Sequence, residues 1–398
     1  MTTDPLADLR AEFHIPEGVI YLDGNSLGLM PKRVRARVDA VVAKEWAEGL
    51  IRSWTEAEWI DLPLKVGAQI APLIGAAAHE VVVGDSTSVN LFKCLCAALG
   101  ELPDRKVILM QADDFPTDGY IAQGVADLLP GYAIRTVADI ERGLSSDVAV
   151  LLLTHVNYKT AAVHDLSGVT RAAHEAGALT VWDLSHSIGA MPLDMHAADV
   201  DFAVGCTYKY LNGGPGAPAF VYVAERLAHR VGQPLSGWMG HARPFDFVGG
   251  YEPGTGAKRF LTGTPQILSL AALSEALTVW DGLDLTAVRR KSVALTGLFI
   301  DLVEEHCAGF GLRLASPRHA GRRGSHVAFA HEHGYPVVRA LAERGVIGDF
   351  RAPDLMRFGF APLYTSVAEV QEAVRILKDI LQTEAWRAPR FAERLAVT

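Results

Sequence analysis

Cysteine is scarce in this chain. Four occur in 398 residues, at 94, 96, 206 and 307, with no C-x-x-C pair and no metal-ligand spacing. That excludes a disulfide framework or a zinc centre and leads us to expect reduced thiols in a cytoplasmic protein. Runs of like charge are missing too. No stretch holds five or more Lys/Arg, and the net charge is −9, so binding to nucleic acid or an anionic membrane has no electrostatic footprint. The longest apolar stretches fall far short of a membrane span. The opening Met1-Thr2-Thr3-Asp4-Pro5 carries an early acid where an export signal has a basic start and an apolar core. Internal repeats, low-complexity segments and long linkers are also lacking. What remains is a chain 49% hydrophobic and 21% charged, the composition of a soluble protein with a substantial core, long enough for two or three domains.

Short apolar runs recur along the middle of the chain, at 80–84, 106–110, 148–154, 179–182, 201–206 and 219–223. Helix-like segments lie between several of them, such as 87–99, with Ser86, Thr87 and Ser88 as caps, and 169–176. Alternation of this kind predicts an α/β fold: a mainly parallel sheet sandwiched by helices. Before it, residues 33–59 read as helical. From Pro265 the texture changes to long helical stretches at 265–280, 285–306 and 367–381, the mark of a smaller α+β domain. The expected division is an N-terminal arm and helix over 1–50, packing with the small domain, a large domain over 51–280 and the small C-terminal domain over 281–398.

In a sheet of this class ligands sit beyond the carboxyl ends of the strands. Asp183 ends one predicted strand and Lys209 follows the next, within Thr207-Tyr208-Lys209-Tyr210. An acid and an amine so placed suit a cofactor with a pyridine nitrogen at one side and an aldehyde at the other, which is pyridoxal phosphate. Lys209 is then the Schiff-base residue, desolvated in an aromatic and glycine-rich segment, and Asp183 keeps the ring nitrogen protonated. Taken singly, each has a plainer reading: a surface lysine in a glycine loop, and a helix cap. His186 falls near the same edge. The Ser86-Thr87-Ser88 turn offers backbone N–H groups, hydroxyls and a helix N-terminus to a phosphate, with Tyr208 and Thr264 as further hydroxyls. Capping alone would also explain it.

Phe115-Pro116-Thr117-Asp118 supplies a ring to stack on the pyridine face and an acid to orient a ring substituent, or else simple turn chemistry. Trp238-Met239-Gly240-His241 sets an indole in a Gly/Pro-rich loop, for function or for loop packing. Arg357 is a charge among apolar residues on a predicted strand of the small domain. Its planar guanidinium suits an α-carboxylate, and a strand-edge salt bridge is the alternative.

The ordered set of motifs resembles the kynureninase family, enzymes of the aspartate aminotransferase fold (fold type I) related to class V aminotransferases. The resemblance runs from Tyr21-Leu22-Asp23-Gly24-Asn25-Ser26-Leu27-Gly28 to Arg357. The spacing from Asp183 to Lys209 marks the superfamily. The opening motif, Phe-Pro-Thr-Asp, Gly-Trp-Met-Gly-His and Phe260-Leu261-Thr262-Gly263-Thr264-Pro265 point to the family itself. The resemblance implies a seven-stranded large-domain sheet and a homodimer with shared sites. It also implies Lys209, Asp183 and Tyr208 as catalytic residues. Thr87, Ser88, Tyr208, Trp238 and Thr264 would serve the phosphate and its surroundings, Phe115 the ring face, and Asp118, Thr154 and His186 the rest of the cofactor shell. Arg357 would hold the substrate carboxylate, with Asn25, Ser26 and Trp54 on the aromatic side, reached from the neighbouring subunit.

The reaction so implied is hydrolysis of L-kynurenine to anthranilate and L-alanine, with the 3-hydroxy substrate as a variant, in tryptophan breakdown or NAD precursor supply. A class V aminotransferase or a cysteine desulfurase would share the lysine and acid. A desulfurase needs an exposed nucleophilic thiol, for which none of the four cysteines looks suited. The alternative of another class is a non-catalytic α/β binding protein.

Overall fold

The computed structural model describes residues 6–394; the opening Met1–Pro5, read above for an export signal, lies outside the described residues. The strands, in chain order, begin with β1 (Ile20–Tyr21). Next come β2 (Val81–Val83), β3 (Val107–Gln111), β4 (Ala133–Val137), β5 (Val148–Thr154), β6 (Leu179–Asp183), β7 (Phe202–Gly205) and β8 (Phe220–Val223). The last five are β9 (Arg313–Leu314), β10 (His326–Ala330), β11 (Val346–Ile347), β12 (Asp349–Arg351) and β13 (Leu355–Gly359).

A seven-stranded sheet in the order β2-β8-β7-β6-β5-β3-β4 forms the centre of the larger part. Its pairings from β4 through β7 are parallel, and β8 runs antiparallel to both β7 and β2. The strands are apolar throughout because both faces are covered. Leu151, Leu153, Trp182 and Tyr222 point into one core, and Val150, Leu152, Val181 and Val221 into the other, following the period of two. Helix Thr87–Glu101 packs its Leu91, Cys94, Leu95 and Ala98 into the second core. β7 and β8 make an antiparallel pair with Gly205 opposite Phe220, so Lys209 sits on the connection between two neighbouring strands.

A four-stranded antiparallel sheet, β12-β13-β10-β9, is covered by helices Leu285–His306, Gly334–Glu343 and Val367–Gln382 around a separate core. The N-terminal arm joins this part: β1 pairs with β11, and Leu22 is buried in its core. Among the described residues no helix is long and apolar enough to cross a membrane.

The segment 33–59 is not one helix. Lys32–Ala40 is α-helical, Val41–Gly49 is a π-helix, and Leu50 (φ 55°, ψ −133°) breaks the chain before a short helix at Ser53–Glu56. Gly49 packs where a Cβ would lie 2.1 Å from Ser53 Oγ, so this bend brings two turns into close approach.

Candidate active site

Parallel pairing of β5 with β6 sets Thr154 level with Asp183, and pairing of β6 with β7 sets Asp183 beside Val204. Three strand ends therefore open onto one cavity of about 520 Å³. Thr87, Ser88, Phe115, Thr154, Asp183, His186, Tyr208 and Lys209 all line it. Asp183 is buried, and its Oδ1 accepts the Ser185 N–H at 2.7 Å. Burial pushes its carboxyl pKa up, and the Lys209 charge pulls it back.

Lys209 Nζ lies 3.1 Å from His186 Nε2. Burial, then the charge of Lys209, holds the His186 imidazole well below its usual range, so the ring is neutral. Nε2 then accepts from the lysine and the proton sits on Nδ1, which is buried without a partner among the described residues. The opening motif braces the lysine from behind. Gly28 N–H donates to the Tyr208 carbonyl at 2.7 Å, and a Cβ on Gly28 would lie 2.2 Å from the Lys209 carbonyl oxygen. Asn212, in left-handed backbone (φ 61°), donates to the Leu29 carbonyl at 2.9 Å and closes the turn.

At the far end Ser86 caps helix Thr87–Glu101 by accepting the Val89 N–H. The hydroxyls of Thr87 and Ser88 lie at the same N-terminus, where N–H groups and the helix dipole favour an anion. On the side wall Phe115 meets Tyr158 edge to face at 5.1 Å. Asp118 is buried behind Phe115, and its Oδ2 has no hydrogen-bond partner among the described residues. Burial and the nearby Asp183 and Asp114 push its pKa well up, which keeps a proton on it. Asp114 went unnoticed in the sequence. Its carboxylate accepts the Thr154 N–H at 2.8 Å and the Thr154 hydroxyl, so Thr154 is held by this acid and faces the cavity beside it.

Arg357 is buried and committed. Asp349, its cross-strand partner between β12 and β13, takes Nε at 2.8 Å and Nη2 at 2.5 Å; Ser26 Oγ takes Nη2 at 3.0 Å and the Tyr158 carbonyl takes Nη1. Four of its five N–H groups are thus used, and one on Nη1 stays free. The salt bridge offered as the alternative reading exists; Arg357 does not itself line the cavity, and it meets it only through its bond to the carbonyl of Tyr158, a lining residue.

Other anticipated residues lie elsewhere. Asn25 is fully buried against Gly359, where a Cβ would approach its Oδ1 to 1.7 Å, so it cannot reach a neighbouring subunit's site. Ser26 belongs to the Arg357 cluster of its own chain. Trp54 and Trp238 meet edge to face at 6.2 Å in an aromatic group that includes Trp59 and Phe245. Thr264 is exposed. None of these three lines the cavity.

Against known proteins, this chain is 53% identical to kynureninase of Pseudomonas fluorescens over 99% of its own length and 97% of that protein. The chain belongs to the kynureninase family. Kynureninase of Burkholderia mallei is 52% identical over the same shares, and the family description "Kynureninase C-terminal domain" matches residues 288–377. The fold is that of more distant solved structures. A cysteine desulfurase from Thermococcus onnurineus superposes with a TM-score of 0.79 at 20% identity, covering 96% of this chain and 99% of that one. A C-DES variant with glycine linked covalently to its PLP cofactor superposes with a TM-score of 0.80 at 16% identity, covering 93% and 99%.

Proposed function

We propose that this member of the kynureninase family hydrolyses L-kynurenine to anthranilate and L-alanine, with pyridoxal phosphate held in the cavity at the strand ends. The observation that carries the reading is the meeting of Lys209, His186 and Asp183 in one cavity. The donor set fits the cofactor. Asp114, Asp118 and Asp183 gather three buried carboxyl groups around a single lysine, and Asp118 Oδ2 and His186 Nδ1 are buried without partners. That excess of acid and unmet hydrogen bonding suits a ring carrying an N–H and polar substituents. Thr87, Ser88 and Tyr208 would hold its phosphate, Phe115 its face, and Asp183 its nitrogen.

When bound, pyridoxal phosphate supplies an aldehyde carbon that captures amines and a ring that draws electrons from the substrate Cα. Lys209 would take the substrate Cα proton, with neutral His186 holding the lysine nitrogen in position. Asp183, buried with the Lys209 charge offsetting part of that burial, would pair with the ring nitrogen and keep it protonated. The free N–H of Arg357 orients the substrate carboxylate, and the Asp349 grip fixes the direction of that N–H. Water adds to the side-chain ketone and the Cβ–Cγ bond breaks. The ketone carbon leaves as the carboxyl of anthranilate, and Cβ gains a proton to become the methyl of alanine. Tyr208 is the candidate donor at that step; its neighbour Cys206 and burial raise its pKa, so it keeps its proton at neutral pH.

The thiols argue against desulfuration. Cys94, Cys206 and Cys307 are buried, and burial raises all four, Cys96 and Cys307 to about 11, so none is an accessible thiolate near neutrality. Free thiols also suit a reducing, cytoplasmic setting. A homodimer with shared sites is supported by exposed apolar side chains, Met30, Trp46, Leu50, Ile51 and Leu268, of which Leu268 shares one groove with Met30 and another with Trp46. The test is to give the purified, PLP-loaded protein L-kynurenine without a keto acid and follow both products. Equal, sustained release of anthranilate and alanine is expected. Release that requires a keto acid would make it a transaminase instead.

A further inference from the structure

Lys93 has no part in the chemistry above. It lies on helix Thr87–Glu101, is 1% exposed, and does not line the cavity. An ammonium group this deep needs partners, and Lys93 uses all three donors. Its Nζ bonds Asp85 Oδ2 at 2.5 Å, the Phe260 carbonyl at 2.7 Å and Asn90 Oδ1 at 3.2 Å.

The three acceptors sit on three different segments around the anion end, of which only Asp85 lines the cavity itself. Asp85 lines the cavity directly before the Ser86–Ser88 turn, in left-handed backbone (φ 52°), and its Oδ2 also accepts the Thr262 hydroxyl at 2.9 Å. Asn90 returns a bond from its Nδ2 to the Gly84 carbonyl at 2.8 Å. Phe260 begins the loop that carries Thr262 and Thr264. Lys93 therefore ties the turn to the 260–264 loop from beneath.

Its charge matters as well as its bonds. Asp85 puts a carboxylate at the one end of the cavity built to receive an anion, where like charges repel. A buried cation in direct contact cancels that field. Burial pulls the Lys93 pKa down, and Asp85 pushes it back up.

We propose that Lys93 is a positioning residue for the phosphate end of the cofactor: it neutralises Asp85 and fixes the Ser86–Ser88 turn against the 260–264 loop. The inference rests on the pyridoxal phosphate reading above. It requires the effect of Lys93 to follow the phosphate group, because the ring is held at the other end by Asp183, His186 and Lys209. Lys93→Met leaves Asp85 uncompensated, and the Kd for pyridoxal phosphate is expected to rise on the order of 30- to 100-fold. The Kd for pyridoxal, which lacks the phosphate, stays near the wild-type value. Asp85→Asn, which keeps the lysine, shifts the preference the other way, toward the phosphorylated ligand.

The experiment strips full-length wild type, Lys93→Met and Asp85→Asn of cofactor and titrates each with pyridoxal phosphate and with pyridoxal, following visible absorbance. Selective loss of the phosphorylated ligand in Lys93→Met, with the opposite shift in Asp85→Asn, upholds the proposal. Equal weakening of both ligands marks a merely structural lysine and overturns it, as does unchanged binding. Should Lys93→Met fail to fold, Asp85→Asn decides alone: an unchanged or lowered preference for the phosphorylated ligand overturns the proposal. Wild-type protein that binds neither ligand would sink the cofactor reading itself, a result distinct from any of these.

Discussion

The floor of the cavity and its rim are built in different ways. On the floor, Thr154, Asp183 and the Lys209 turn are set by the hydrogen-bond register of neighbouring strands, and each is locked by a second group: Asp114 for Thr154, Ser185 for Asp183, Gly28 for the lysine turn. Around it, outside the residues that line the cavity, Trp54, Trp238, Phe245 and Thr264 form a rim carried on short helices and loops, and Phe245 and Thr264 stay exposed. Register fixes a side chain through many cooperative backbone bonds, whereas a loop fixes it only when something packs against it. The contrast teaches that one chain completes the reactive floor through its sheet register, while the loops around it lack such a lock; the second copy proposed above would seat on the exposed Trp46, Leu50 and Ile51.

The largest expected break falls on the floor. Lys209→Ala should lower kcat by roughly 10³- to 10⁴-fold and abolish the visible absorbance of the lysine-linked cofactor, with circular dichroism unchanged. Retained turnover would show that the proton carrier is another group. Arg357→Ala comes next, with kcat/KM falling on the order of 100-fold, mostly through KM, since charge-assisted hydrogen bonds are lost. Asp349→Asn should raise KM in the same direction by less, and an effect on kcat alone would refute the orienting role given to the pair.

A smaller effect separates the two regions by pH. His155 donates its backbone N–H to the Asp183 carbonyl at 2.9 Å, and its ring bonds Ser187. Burial depresses its pKa from 6.5 to about 4. The unfolded imidazole gains a proton below about 6.5 while the folded one stays neutral until about 4, so stability is lost as pH falls through that window. At pH 5 this one group costs about 2 kcal/mol. Urea unfolding of His155→Gln at pH 7 and pH 5 should shift by that amount in favour of the variant, and parallel pH curves would contradict the assignment. On the rim, Trp54→Ala is expected to cost under about tenfold in kcat/KM, the range of one lost aromatic contact. On the homodimer proposed above, that loss appears only at protein concentrations where light scattering run beside the assay shows the chain associated.

The floor was legible in the sequence because its strands are buried on both faces, and so read as unbroken apolar runs ending in Thr154 and Asp183. β4 was not, since this edge strand is half exposed and its Arg135 and Thr136 interrupt the pattern. Asp349 and Lys93 were invisible for another reason. Their meaning depends on partners set by long-range pairing: Arg357 across β12 and β13, and Phe260 from a loop far along the chain. The helix expected over 33–59 failed at Leu50, whose left-handed backbone no propensity argument would assign to a leucine. Asn25 and Ser26 were grouped with the rim by their motif, whereas the pairing of the N-terminal arm with the small-domain sheet carries them inward.

The antiparallel course of β8 has one more consequence. Because β7 ends and β8 begins at the same end of the sheet, the segment bearing Lys209 is anchored at both ends, and the Gly213 N–H bond to the Thr207 carbonyl at 2.9 Å and the Gly28 N–H bond to the Tyr208 carbonyl pin it between them. A proton carrier mounted this way cannot swing as a lid does. It reaches one bonding partner after another by turning its own four-carbon side chain, on the picosecond-to-nanosecond clock of rotamer exchange rather than the slower clock of loop opening.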